Sequence, residues 1–116
     1  MQVGDVDRDG DLDVIVGEHN YRDPATARLL VFENLDGQGS RWREHVLHTG
    51  DEHHDGAVVV DIDNDGDLDI ISVGWSHSNV LLYENRSIVS KADGQAVNRE
   101  GYASVGSVFE VCAKSR

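Results

Sequence analysis

The 116-residue chain has a single cysteine, Cys112, which excludes an internal disulfide and a multi-cysteine zinc site. Basic residues are scarce: 10 Lys and Arg stand against 22 Asp and Glu, for a formal charge of −12. Nucleic acid and anionic membrane surfaces are therefore poor partners, since both need clustered positive charge. No apolar run approaches the roughly 20 residues of a membrane-spanning helix, so membrane insertion is not expected. The opening Met1-Gln2-Val3-Gly4-Asp5 has neither the basic nor the apolar segment of a signal peptide. No Gly-x-Ser-x-Gly elbow, phosphate loop or dinucleotide fingerprint occurs, and no window has convincing helical periodicity. With 39% hydrophobic residues, the chain has enough apolar material for a small core.

The negative charge is concentrated. Residues 5–13 read Asp-Val-Asp-Arg-Asp-Gly-Asp-Leu-Asp, and residues 61–69 read Asp-Ile-Asp-Asn-Asp-Gly-Asp-Leu-Asp. These two windows hold ten of the 22 acids, and without them the formal charge would be −2. Five carboxylates in nine residues repel one another, and a bound cation removes that cost. A merely solvated acidic face would not require the same residue order twice.

The windows belong to a longer repeat. Val14-Ile15-Val16-Gly17 follows the first and Ile70-Ile71-Ser72-Val73-Gly74 the second. Leu30-Val31-Phe32-Glu33-Asn34 then corresponds to Leu81-Leu82-Tyr83-Glu84-Asn85. The acidic windows lie 56 residues apart and the later segments 51 apart, which places an insertion around Tyr21 to Arg28 in the first copy. Repeats of about this length imply stacked supersecondary units.

Each unit reads as short strands: 1–5 and 57–61 before the acidic loops, 12–17 and 68–74 after them, then 29–34 and 80–85. In 42–48, alternation puts Trp42, Glu44, Val46 and His48 on one side. Asp36-Gly37, Gln38-Gly39, Thr49-Gly50 and Asp55-Gly56 mark turns. A fourth strand in the second unit is expected at 104–112, with 86–103 as a long loop; the competing reading makes 86–116 an irregular tail. Four short strands per unit of about 50 residues is the arithmetic of a β-propeller blade. The expected fold is thus all-β, two four-stranded β-propeller blades of an incomplete propeller. The first repeat takes 1–50 and the second 51–85, with 86–116 as the tail or outer strand. Two blades cannot close a ring, so the remaining blades are expected from a longer parent chain or from other copies.

With Asp5 and Asp61 as loop position 1, positions 3, 5 and 9 are Asp7, Asp9 and Asp13, and Asp63, Asp65 and Asp69. Glycine at position 6, Gly10 or Gly66, permits the sharp bend. Asp11 and Asp67, at position 7, would donate a backbone carbonyl and leave the carboxylate to water. Hard oxygen ligands in a flexible loop suit Ca²⁺ better than Mg²⁺, zinc or copper. An EF-hand opens the same way but needs Glu at position 12 and flanking helices. Here position 12 is Val16 or Ser72 and the flanks are β-rich.

The pattern Asp-x-Asp-x-Asp-Gly-x-x-Asp followed by an apolar strand closely resembles the FG-GAP repeats, also called VCBS repeats. In that family a calcium ion sits in the loop joining the first two strands of a propeller blade, as in the integrin α-subunit head. The resemblance implies two Ca²⁺ sites, at Asp5, Asp7, Asp9 and Asp13 and at Asp61, Asp63, Asp65 and Asp69. Asp55-Gly56-Ala57-Val58-Val59-Val60-Asp61 is similar to the opening of the family signature, with Asp55 in place of its phenylalanine. The likeness covers 3–85.

Other polar clusters carry less. In Glu52-His53-His54-Asp55 adjacent histidines on a strand point to opposite faces, so a polar loop is expected rather than a transition-metal site. His45 and His48 lack the Glu of a zinc-protease helix. Glu18-His19-Asn20 and Trp75-Ser76-His77 follow equivalent strands and would lie in equivalent loops, where Trp75 could stack on a sugar ring. Trp42, Phe32 and Tyr83 are expected in the core between blades, and Cys112 as a small buried hydrophobe. Asn85-Arg86-Ser87 matches a glycosylation sequon, a pattern too short to carry weight.

No catalytic residue is assigned and the chain is not expected to be an enzyme. The expected function is a calcium-binding repeat module of a secreted or cell-surface protein, extracellular or periplasmic, where calcium is plentiful. It would serve adhesion or recognition of a carbohydrate or protein ligand through its loops. The alternatives are a propeller piece of a polysaccharide lyase or hydrolase with catalytic residues elsewhere, and a structural spacer.

Overall fold

A computed structural model describes residues 1–53, 56–86 and 109–115. The fold is all-β, with two antiparallel four-stranded sheets. The first comprises β1 (Gln2–Gly4), β2 (Asp13–Gly17), β3 (Arg28–Asn34) and β4 (Trp42–Thr49), paired in chain order. The second comprises β5 (Ala57–Val60), β6 (Asp69–Val73), β7 (Asn79–Asn85) and β8 (Phe109–Ser115), again in chain order. A single 3-10 turn, Pro24–Thr26, interrupts the β2–β3 connection. Among the described residues, no helix is long and apolar enough to cross a membrane.

The expected strands recur within about two residues of their predicted ends, apart from the fourth of the second sheet. There β8 overlaps the expected 104–112 segment only at 109–112, pairing Leu82 with Cys112 and Asn85 with Phe109. The remainder of that expectation, the loop from residue 87 onward and the Cys112 side chain lie outside the described residues.

The sheets stack face to face, β5 lying against β1 and β2. Period-two alternation decides which side chains meet. Ile15, Leu29 and Val31 of the first sheet cluster with Ala57, Ile70, Leu81 and Tyr83 of the second, and Val6 of the first acidic loop joins them. Each fully buried side chain of this size contributes roughly 1.5–3 kcal/mol of hydrophobic free energy.

Three expectations change. A β-bulge between β3 and β4 pairs Leu30 with Val46 but Leu29 with His48, so Leu47 is the extra residue. His48 thereby leaves the face of Trp42, Glu44 and Val46 and joins that of His45. Trp42 is 42% exposed rather than in the core, its indole N–H donating to Gly39 O at 2.9 Å. Phe32 is half-buried, and only Tyr83 of the three aromatics sits in the inter-sheet core.

The 52–53 segment is not a polar surface loop. Glu52 and His53 are buried where the chain passes between the sheets. His53 N–H donates to Glu18 O at 3.1 Å, and Trp75 N–H donates to a Glu52 carboxylate oxygen at 2.8 Å. Gly17 and Gly74, at the ends of equivalent strands, make room for it. A Cβ at Gly17 would lie 2.6 Å from His53 O, and one at Gly74 would overlap Glu52 O. His54 and Asp55 lie outside the described residues, so the opening of the family signature is described only from Gly56.

Candidate metal centre

The two acidic loops join β1 to β2 and β5 to β6, at the same end of their sheets. Their backbone N–H bonds to aspartate match one for one. Asp5 accepts from Asp9 N–H at 3.1 Å and Gly10 N–H at 3.0 Å; Asp61 accepts from Asp65 N–H and Gly66 N–H at the same distances. Asp7 accepts from Asp9 N–H at 3.1 Å and Asp63 from Asp65 N–H at 3.2 Å. Asp9 accepts from Asp11 N–H at 2.9 Å and Asp65 from Asp67 N–H at 3.0 Å. Short polar side chains that bond the backbone two residues on produce such tight turns. Gly10 and Gly66, at φ 98° and 97°, occupy backbone space that side chains disfavour, and Arg8 and Asn64 share the left-handed region at φ 66° and 62°.

The last aspartate closes each loop onto the sheet. Asp13 is buried, accepting from Val6 N–H at 3.0 Å and Asn34 N–H at 2.9 Å. Asp69 is buried too, accepting from Ile62 N–H at 3.0 Å and Asn85 N–H at 2.8 Å. Loop position 9 thus pins its loop to the end of the third strand. Asn34 and Asn85, which end matching strands in the sequence, are the partners that sequence reading left without a role. Asn85 also donates its amide to Leu68 O and Val6 O, so its sequon nitrogen is buried and committed; Ser87 lies outside the described residues.

Oxygen atoms of Asp5, Asp7 and Asp13 converge within 4.8 Å of one another, as do those of Asp61, Asp63 and Asp69. Asp63, Asp65 and Asp67 form a further group on the same criterion. Asp9 and Asp11 do not enter a convergent group in the first loop. Asp67 departs from the expectation of a water-facing carboxylate: it is fully buried, whereas Asp11 is half-buried against the turn at Gly37.

Burial raises the Asp7 carboxyl to about 7, and the neighbouring Asp13 and Asp9 carboxylates push it the same way against a hydrogen bond from Asp9 N–H. Burial likewise raises Asp13 and Asp69 against the backbone N–H groups that each accepts, and local desolvation with the Asp65 charge raises the exposed Asp63. Carboxylates that resist ionisation because they are desolvated and lie near one another gain most from a cation among them. All the converging donors are carboxylate oxygens, the chemistry that suits a hard divalent ion. The residues present therefore fit Ca²⁺ or a similar ion.

At the opposite end of the strands, the β2–β3 loop (Tyr21, Pro24), the β6–β7 loop (Trp75, Ser76) and Glu52 of the β4–β5 connection surround a cleft of about 290 Å³. The sequence offered Trp75 here, but Tyr21 and Glu52 were not legible, because their meeting depends on the buried 52–53 crossing. His53 is a buried histidine, its Nδ1 2.8 Å from Ser72 Oγ, and among the described residues its Nε2 has no hydrogen-bond partner.

Comparison with curated proteins and with solved structures gave no match. A family model described as FG-GAP-like repeat matches residues 5–72, more than half of the chain, spanning both acidic loops. Duplicate loops, matching hydrogen bonds and this match together make the chain a member of the FG-GAP-like repeat family.

Proposed function

We propose that this chain is a calcium-binding β-propeller repeat module, its two sheets being neighbouring blades. One Ca²⁺ in each acidic loop would brace the connection between a blade's first two strands. Asp5, Asp7 and Asp13, with Asp9 and the Asp11 carbonyl, would hold one ion. Asp61, Asp63, Asp65 and Asp69, with Asp67, would hold the other. The ion supplies charge neutralisation, and two of them would change the formal charge from −12 to −8. The chain's own part is to order the cage: glycine sets the bend, aspartates 1, 3 and 5 cap the turn, and aspartate 9 couples it to the third strand.

The single observation carrying this reading is the repetition of one hydrogen-bond pattern, ending on a buried aspartate, in two loops that gather carboxylates. The role proposed for the metal is structural and that for the module is non-catalytic: recognition or adhesion through the loops within a larger secreted or cell-surface protein. An extracellular or periplasmic setting, rich in free calcium, suits such sites. Thermal unfolding of the full chain tests the metal. Millimolar Ca²⁺ should raise the melting temperature over EDTA, since an ion that binds only the folded state stabilises it by about 2.7 kcal/mol per site at a hundredfold excess over Kd. Superimposable curves would remove the reading.

A further inference from the structure

Trp75 and Tyr21 are exposed by 67% and 74%, on loops that emerge from equivalent strands of the two sheets. Large aromatic rings exposed together at the mouth of one cleft are the kind of apolar patch that marks a ligand-binding groove. Between them lies Glu52, 1% exposed, with Ser76 and Pro24 completing the wall. The wall is built before any ligand arrives. One Glu52 oxygen accepts from Trp75 N–H at 2.8 Å and the other lies 3.1 Å from His19 Nδ1. The His19 ring in turn packs at a tilt on Tyr21, ring centres 5.6 Å apart. The Tyr21 loop is closed at its neck by Arg28, which donates Nε to Glu18 at 2.8 Å. Across its tip Asn20 Nδ2 donates to Thr26 Oγ1 at 2.6 Å. A preordered site loses less entropy on binding.

We propose that this cleft binds one uncharged pyranose ring of a carbohydrate, stacked on Trp75 and faced by Tyr21, with the Ser76 and Tyr21 hydroxyls meeting its hydroxyl groups and the buried Glu52 holding the wall in place. This names the ligand class for the loop recognition proposed above and rests on that reading. A sugar presents an apolar C–H face together with hydroxyls that both donate and accept. The cleft offers the complement: two aromatic surfaces and the hydroxyls of Ser76 and Tyr21. A cationic ligand fits less well. It would need a bare carboxylate, whereas both Glu52 oxygens are already turned toward donors, and it would leave the two hydroxyls without acceptors to meet. The volume of about 290 Å³ lies just below the roughly 300–1,000 Å³ of small-molecule sites, which suits a single ring.

Trp75 is one of two tryptophans, so Trp42→Phe leaves it as sole reporter. The 116-residue chain in that background, in saturating Ca²⁺, is titrated with the methyl glycosides of glucose, galactose, mannose, N-acetylglucosamine and fucose, and separately with choline chloride. The expected result is a saturable change in Trp75 fluorescence with at least one glycoside and none with choline. By calorimetry, Trp75→Ala and Tyr21→Ala should each weaken that binding by about tenfold or more, while the calcium-induced rise in melting temperature persists. Saturation by choline alone, no saturation by any glycoside, or undiminished binding by both variants would overturn the proposal. Because cleft and acidic loops lie at opposite ends of the strands, failure here leaves the calcium response intact, and loss of the calcium response reports on the metal reading alone.

Discussion

Asn85 donates its side-chain amide to the carbonyl oxygen of Val6 at 2.9 Å, a bond that joins residues 79 apart and ties the end of β7 to the first acidic loop. The same amide reaches Leu68 O in its own sheet at 3.1 Å, and the Asn85 backbone N–H holds Asp69. One buried residue therefore couples both acidic loops. Asn34, its counterpart, reaches Leu12 O at 3.4 Å in its own sheet and donates its backbone N–H to Asp13.

Asn85→Ala should consequently cost about 1–3 kcal/mol, because it strands the buried Val6 carbonyl and the partly buried Leu68 carbonyl. Asn34→Ala should cost less. Urea unfolding in saturating Ca²⁺ reads both, and equal losses would show that the inter-sheet bond contributes nothing of its own.

Position 7 should behave differently in the two loops. Asp67 is fully buried beside Asp63 and Asp65, while Asp11 is half-buried outside a convergent group. Calorimetric calcium titration should show Asp67→Ala weakening one site about tenfold or more, the equivalent of 1.4 kcal/mol, with Asp11→Ala changing the other by less. Equal effects would restore the expectation that both aspartates serve only through their carbonyls.

His53 should make stability depend on pH. Burial, and then the nearby His48, lower its pKa from 6.5 to about 4. Between those values the unfolded chain binds a proton that the folded chain refuses. The stabilisation is therefore complete above about pH 6.5 and falls as pH drops toward 4. The full loss is on the order of 3 kcal/mol. Urea midpoints across this range, for the parent protein and His53→Gln in saturating Ca²⁺, should differ in slope. Parallel profiles would contradict the assignment.

Gly74→Ala and Gly10→Ala separate two uses of glycine. A Cβ at Gly74 collides with the backbone of Glu52, so that substitution must displace the crossing between the sheets and should cost about 3 kcal/mol. Gly10 has φ 98° but open space around it, so only backbone strain is added, about 1 kcal/mol. Thermal or urea unfolding gives the comparison. A mild Gly74→Ala would mean that the 52–53 segment shifts without loss.

Much of this was legible in the chain. Strand alternation and turn residues placed seven of the eight strands closely, because these signals are local. The eighth drifted since Val105 and Val108 are as compatible with a strand as Val111, and pairing with β7 selects the register. The β4 alternation failed at His48 because a bulge inserts Leu47, something only the pairing with β3 imposes. Trp42 was misplaced for a related reason: its hydrophobicity argued for the core, but it lies on the face turned away from the second sheet. Glu52 and His53 read only as part of a polar loop because their burial depends on Gly17 and Gly74, distant in sequence on both sides.

By itself the sequence determined that two loops of like design carry the negative charge, that short strands flank them, and that the order of aspartates and glycine suits an oxygen-bound ion. These follow from nearest-neighbour spacing, which the covalent chain fixes. Only the tertiary structure decided that Asp13 and Asp69 grip the ends of third strands, that Asp67 is buried where Asp11 is not, and that Tyr21, Glu52 and Trp75 surround one cleft. Those relations rest on the stacking of two sheets and a chain crossing between them, and the contacts so created have no signature in the spacing of residues.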